Sequence, residues 1–183
     1  MSKKPAKTEN NTNTPSEMSD AATVEYVPVP RAGFGRRILA IVYDALVVTA
    51  VIMFAFGVLL ALVALAVKLG LLSLPEGADH ASLLQGTPIP LIYLSAVVLW
   101  FYVGFWTRGG QTLGMRTWRL RVRNSDNSRI SKKQALIRAI TALFGLGNLW
   151  VLFGQEKLAL QDRIAKCEVV VLSKEANQFK NWK

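Results

Sequence analysis

Residues 45–67 carry no charged side chain, 23 positions in a row. A bilayer core of roughly 30 Å is crossed by about 20 apolar helical residues, so this run is long enough to span a membrane. Just ahead of it stand Arg36 and Arg37, and Asp44 lies inside its leading end. An ionisable group at membrane depth is costly and normally faces protein, where it finds a partner. The pattern predicts a transmembrane helix over residues 38–67. At about 45 Å it exceeds the hydrocarbon core, so part of it must project, tilt or lie among headgroups. Arg37 and Asp44 are seven residues apart and share one helix face, two turns separated.

Residues 89–106 form a second uncharged run of 18 positions, ending in Trp100, Phe101, Tyr102, Phe105 and Trp106. Trp and Tyr concentrate at membrane interfaces, which fits an aromatic belt, although plain helix packing explains the same residues. Residues 68–88 between the two runs contain Gly70, Pro75, Gly77, Gly86 and Pro88 and are close to neutral. A third apolar run, residues 139–154, has only 16 positions and is interrupted by Gly145, Gly147 and Asn148. Below spanning length and broken in the middle, it reads as a re-entrant hairpin or a short third span. Charge favours the hairpin, because the positive tail beyond it prefers the side where the chain began.

The net charge of +10 at first suggests nucleic acid, but its distribution argues otherwise. Residues 108–138 hold nine Lys or Arg and one acid, directly after the second apolar run. Basic residues next to a span mark a cytoplasmic segment and a contact for anionic lipid. The amino terminus and the basic block are therefore expected inside, with residues 68–88 outside and no nucleic-acid partner. Cys167 is the single cysteine and His80 the single histidine, which leaves no internal disulfide and argues against a His-based metal site. No nucleophile–base pair stands out, so neither an enzyme nor a cofactor is expected.

The polar stretches organise the remainder. Residues 1–20 are poor in apolar side chains and read as disordered, and residues 21–30 as an extended lead-in. After Arg108, the glycines at 109, 110 and 114 mark a tight turn or a close backbone approach. Residues 117–123 alternate, with Trp118, Leu120 and Val122 on one side and Arg119, Arg121 and Arg123 on the other, the period of a strand with one buried face. Residues 124–128 form a turn, and Ser131 with Gln134 forms a capping box for a helix through Ile140. Residues 168–172 are a β-branched run expected to pair with the basic strand, since a lone strand leaves its backbone unpaired. The arginines of that strand are expected to face water or headgroups. Residues 1–30 and 173–183 are thus tails around a membrane domain of residues 31–172. The fold class is mainly α: a helical integral membrane protein with two long spans, a short third segment and a small cytoplasmic β element.

These residues together resemble the RDD family of bacterial multi-pass membrane proteins. That family is named for an arginine at the start of the first helix and two aspartates. Arg37, with Leu39, Ala40 and Asp44 behind it, matches the first element. Gln111, Thr112, Leu113, Gly114 and Met115 match the central glycine motif, and Arg138 matches an arginine ahead of the third segment. Gln161, Asp162, Arg163, Ile164 and Ala165 match the carboxy-terminal element, while Cys167 stands where the family often has threonine. The resemblance covers about residues 32–172. It implies a bacterial inner-membrane protein of mostly unestablished activity, with transport proposed for the family and cation–proton antiport for some members.

The candidate site residues are therefore Arg37, Asp44, Arg138 and Asp162, with Gly110 and Gly114 as structural turn positions. Asp44 is suited to carry a proton or cation, but a structural ion pair with Arg37, Arg138 or another arginine is favoured. Arg37 is expected to anchor topology at the headgroups. Asp162 is expected to cap a helix or to face the arginines of residues 119–123. Two function classes remain. One is a small oligomeric transporter or antiport component, oligomeric because two or three spans enclose little pathway. The other is a non-catalytic scaffold or regulator whose basic module binds anionic lipid or a membrane-protein partner.

Overall fold

The computed structural model describes residues 29–153 and 156–178, with Leu143 and Phe144 described by backbone alone. The amino-terminal tail up to residue 28 and the last five residues of the carboxy-terminal tail, with the expectations placed on them, lie outside the described residues.

Helix α1 runs Phe34–Lys68, 35 residues, four longer at its start than the apolar pattern suggested. At 1.5 Å per residue it is about 52 Å long. It stops at Gly70, whose φ of 71° is the left-handed geometry that ends helices without a Cβ penalty. Leu71 N–H donates back to the Ala66 carbonyl at 2.9 Å. Helix α2 is Ile89–Arg108, 20 residues or about 30 Å. Prolines 88 and 90 open it, where the missing N–H groups are tolerated. Among the described residues, α1 and α2 are the two helices long and apolar enough by themselves to cross a membrane.

The chain past α2 builds a polar module around the first three turns of α1. Thr112 caps a short helix α3, Leu113–Thr117, by accepting from Met115 N–H at 3.2 Å. This shortens the strand read from the alternation. Trp118 and Arg119 leave the helix instead, and the Arg119 φ of 58° turns the chain into β1, Leu120–Arg123. Asn124–Ser128 form the expected turn, closed by Asn124 N–H to Ser128 O at 2.9 Å. Hydrogen bonds from Ser128 hold the Asp126 carboxyl below the usual carboxylate range. Ser131 and Gln134 form the capping box of α4, Lys132–Thr141. A 3-10 segment, Leu143–Leu149, leads to α5, Trp150–Phe153. The axes of Lys132–Thr141 and Gly145–Phe153 differ by 88°, so the third apolar run is an elbow and not one straight helix. Helix α6, Leu160–Ile164, and strand β2, Glu168–Val171, complete the module.

Strand β2 pairs antiparallel with β1, setting Leu120 opposite Val171 and Val122 opposite Val169. Its other edge takes the chain entering α1: Ala32 N–H donates to Val169 O at 2.8 Å and Val171 N–H to Pro30 O at 2.9 Å. The sheet therefore ties the residues before α1, those after α2 and those after α6 to one another. Leu120, Val122, Ile130 and Val169 are almost fully buried beneath it, and Trp106 of α2 packs into the same core.

Candidate functional site

The module is assembled on one stripe of α1. Arg37, Ala40 and Asp44 follow one another at helical spacing and are all buried, with the module packed over them. At the first position Arg37 reaches α6. Its Nη1 lies 2.6 Å from Asp162 Oδ2, its Nε donates to Ala32 O at 3.0 Å, and its Nη1 also donates to Asn148 Oδ1 at 3.3 Å. Arg138 of α4 pairs through Nη1 with the other oxygen, Asp162 Oδ1. The Arg138 guanidinium lies over the Trp106 ring, 4.8 Å from its centroid, and its Nη1 approaches Cys167 Sγ at 3.8 Å. Asp162 has no exposed surface and also accepts from Ala159 N–H, at the start of α6. Gln161 Nε2 donates to the Asn148 oxygen at 3.0 Å, which joins α6 to the elbow. One carboxylate thus fastens α1, α4 and α6 at a single buried point.

Asp44 lies in a separate environment. Its Oδ2 accepts from the Thr112 hydroxyl at 2.5 Å and its Oδ1 from Gly114 N–H at 2.8 Å. The favoured ion pair between Asp44 and an arginine is not what forms. Arg37 points along the helix to Asp162, and Asp44 instead ties down the first turn of α3, where backbone N–H groups lack partners of their own. Arg37 is 4% exposed, so it is not a headgroup anchor. Asp162 does engage arginines and a helix start, but its partners are Arg37 and Arg138, not the arginines of β1.

The two glycines have different duties. Gly110 has φ of 70° and is a turn position against Val122 and Arg121. Gly114 is not a turn residue. It lies inside α3, where an added methyl group would overlap the Ala40 carbonyl oxygen and sit 2.9 Å from Asp44 Cγ. Its missing side chain is what lets α3 touch α1 and aim its N–H at Asp44.

The arginines of β1 do not share one solvated face. Arg123 is 5% exposed, and its Nε donates to Glu168 Oε1 at 3.0 Å, while Arg31 Nε holds Oε2 of the same carboxylate at 3.0 Å. Arg121 is half-buried, and burial, then the charges of Arg129 and Arg123, push it below its ordinary range. Glu168 is the carboxylate expected near these arginines, whereas Thr112, Asn148 and Gln161 are structural partners that alternation and charge counting did not single out. Thr112 and Gln161 stand in the motifs quoted above, and Asn148 in the glycine break. An open pocket of about 390 Å³ reaches this region from solvent, lined among others by Arg31, Asp162, Arg163, Cys167 and Glu168.

Two long apolar helices bearing a polar module locked by a buried Arg–Asp–Arg cluster define a helical membrane protein. The model of the RDD family matches residues 31–166, most of the chain and every residue of the cluster. The chain belongs to the RDD family, whose members are membrane proteins. No curated protein and no solved structure matches it.

Proposed function

We propose that this protein is a non-catalytic membrane scaffold or regulator that holds a rigid basic module against one face of the bilayer. The observation that carries this reading is the engagement of both motif carboxylates by the chain's own groups. Asp162 is shared between Arg37 and Arg138, and both oxygens of Asp44 are occupied by Thr112 and Gly114. Such arrangements favour one fixed geometry, whereas a relay needs a group that exchanges partners. Arg108, Arg129, Lys132 and Lys133 are exposed and suited to anionic lipid or an acidic face of a membrane-protein partner, including a second copy. Membership of the RDD family supports a bacterial inner-membrane location with two or more crossings, and the charge asymmetry supports an orientation with the amino terminus and module cytoplasmic.

One observation favours a transport reading. Asp44 is a buried carboxylate whose partners among the described residues are a hydroxyl and an amide, and intramembrane carboxylates of this kind can carry protons or cations. The depth of Asp44 weighs against it. From Asp44 to Lys68 the helix is about 36 Å long, enough to fill the hydrocarbon core, and Asp44 abuts the chain that has just left α2. It therefore stands at the boundary of the core.

Proteoliposomes separate the readings. The scaffold reading expects no pH-driven cation flux from native protein, and a fall in membrane abundance or assembly for Asp44→Asn. Flux from native protein that Asp44→Asn abolishes at unchanged abundance would overturn it in favour of antiport.

A further inference from the structure

The elbow formed by α4, the 3-10 segment and α5 has an outer surface that the module does not use. Ile140 is 63% exposed, Leu146 64%, Trp150 51%, Leu152 58% and Phe153 84%, and Leu136 adds to the row on α4. Ala135, Arg138, Asn148 and Val151 of the same elbow face inward and are buried. So large an apolar surface on a soluble module would be an aggregation site. Its position in the fold says what covers it.

Arg138 stacks on Trp106, in the last turn of α2, and Gly145 faces Ile41, one turn before Asp44 on α1. Both contacts lie at the ends of α1 and α2 nearest the module. The elbow is therefore held beside the module-side ends of the spans, which like it carry exposed apolar side chains, such as Leu39, Val42 and Leu46 on α1 and Trp100 on α2. The 88° bend turns the chain aside at this level. Exposed Lys132 and Lys133 open α4, and exposed Lys157 follows α5, so cations flank the apolar row at both ends. Apolar side chains on one face, cations at the margins and a Trp among them are the composition of an interfacial helix.

We propose that residues 132–153 form an in-plane membrane anchor, seated in the headgroup and acyl boundary of the leaflet on the module's side. Its occupant is the lipid of that leaflet. The anchor neither crosses the bilayer nor forms a hairpin that dips to its middle. It adds a third attachment to α1 and α2 and prevents the module from swinging away from the bilayer. This follows from the membrane reading alone and is independent of the scaffold proposal.

The test uses full-length protein in liposomes of mixed zwitterionic and anionic lipid. Single cysteines at Ile140, Leu146, Trp150 and Phe153 in a Cys167→Ala background carry a nitroxide label. Collision with oxygen and with a water-soluble nickel chelate gives the depth of each. The expected result is one shallow depth for all four, about 5–10 Å below the headgroups of a single leaflet. A label at Phe153 near the midplane, or one reached from the opposite face, would mean a hairpin or a third span. Dipolar broadening with little oxygen contact would mean a second copy covers the row, and free access for nickel would mean water does. Any of these three overturns the proposal. Should the Cys167→Ala background not fold, the labels go into the native chain, where Cys167 is 6% exposed and shielded from the reagent.

Discussion

Asp162 shows how much one side chain can carry when it is wholly withdrawn from water. Two guanidinium groups converge on it, so its removal leaves two buried cations without their counter-charge. Breaking a buried pair in this way costs about 3–5 kcal/mol, far more than the net worth of the intact pair against an apolar replacement. Asp162→Asn is accordingly expected to lower the unfolding temperature sharply in detergent. The measurement is the reaction of Cys167 with a thiol-reactive dye on heating, because this cysteine is buried until the module opens. Arg163→Gln is the matched control, since the Arg163 pair with Glu156 is exposed and surface pairs contribute about 0–1 kcal/mol. Equal midpoints for the two variants would show that the cluster does not hold the module.

At the scale of elements, the contact between α3 and α1 depends on a missing side chain. Gly114 brings its backbone against Ala40 and Asp44, and a Cβ there has no free volume. Gly114→Ala must push α3 away, weakening both hydrogen bonds to Asp44, with a cost of about 1–3 kcal/mol for overpacking. Gly57→Ala, in the part of α1 where nothing lies within 4 Å of the added carbon, is expected to be neutral or stabilising, since alanine is the better helix former. Thermal unfolding of the two variants side by side checks this, and a neutral Gly114→Ala would refute the close approach. The sheet illustrates the same point for hydrogen bonds. Strand β1 has only four residues, and it persists because β2 satisfies its backbone while the Pro30–Ala32 stretch satisfies the far edge of β2.

At the scale of the molecule, the arrangement is a pair of apolar helices with the polar module at one end and the shorter connection of residues 69–88 at the other. The proposed orientation predicts that a cysteine at Ser125 is reached from the cytoplasmic face and one at Ser82 from outside, again without Cys167. An impermeant thiol reagent applied to intact cells should label position 82 and spare position 125. The reverse pattern would invert the orientation while leaving the fold as described.

The sequence alone determined the elements whose cause is local. Uncharged runs long enough to span a bilayer, the Ser131 capping box and the Asn124–Ser128 turn all follow from residue types at short spacing. Asp44, with Arg37 on its face, was legible as important because charge beside apolar helix is costly, and Arg138 and Asp162 through the family resemblance. Which of them meet was not legible, because separations such as the 125 residues between Arg37 and Asp162 are closed only by packing. The shared helix face of Arg37 and Asp44 suggested a pair. The tertiary structure set Asp162 against both arginines and gave Asp44 to the start of α3. Alternation likewise suggested an exposed arginine face, until β2 brought Glu168 opposite Arg123 and buried both. Spacing decides what a residue can do within its own element, whereas the partner of a buried charge is chosen by whichever element arrives beside it.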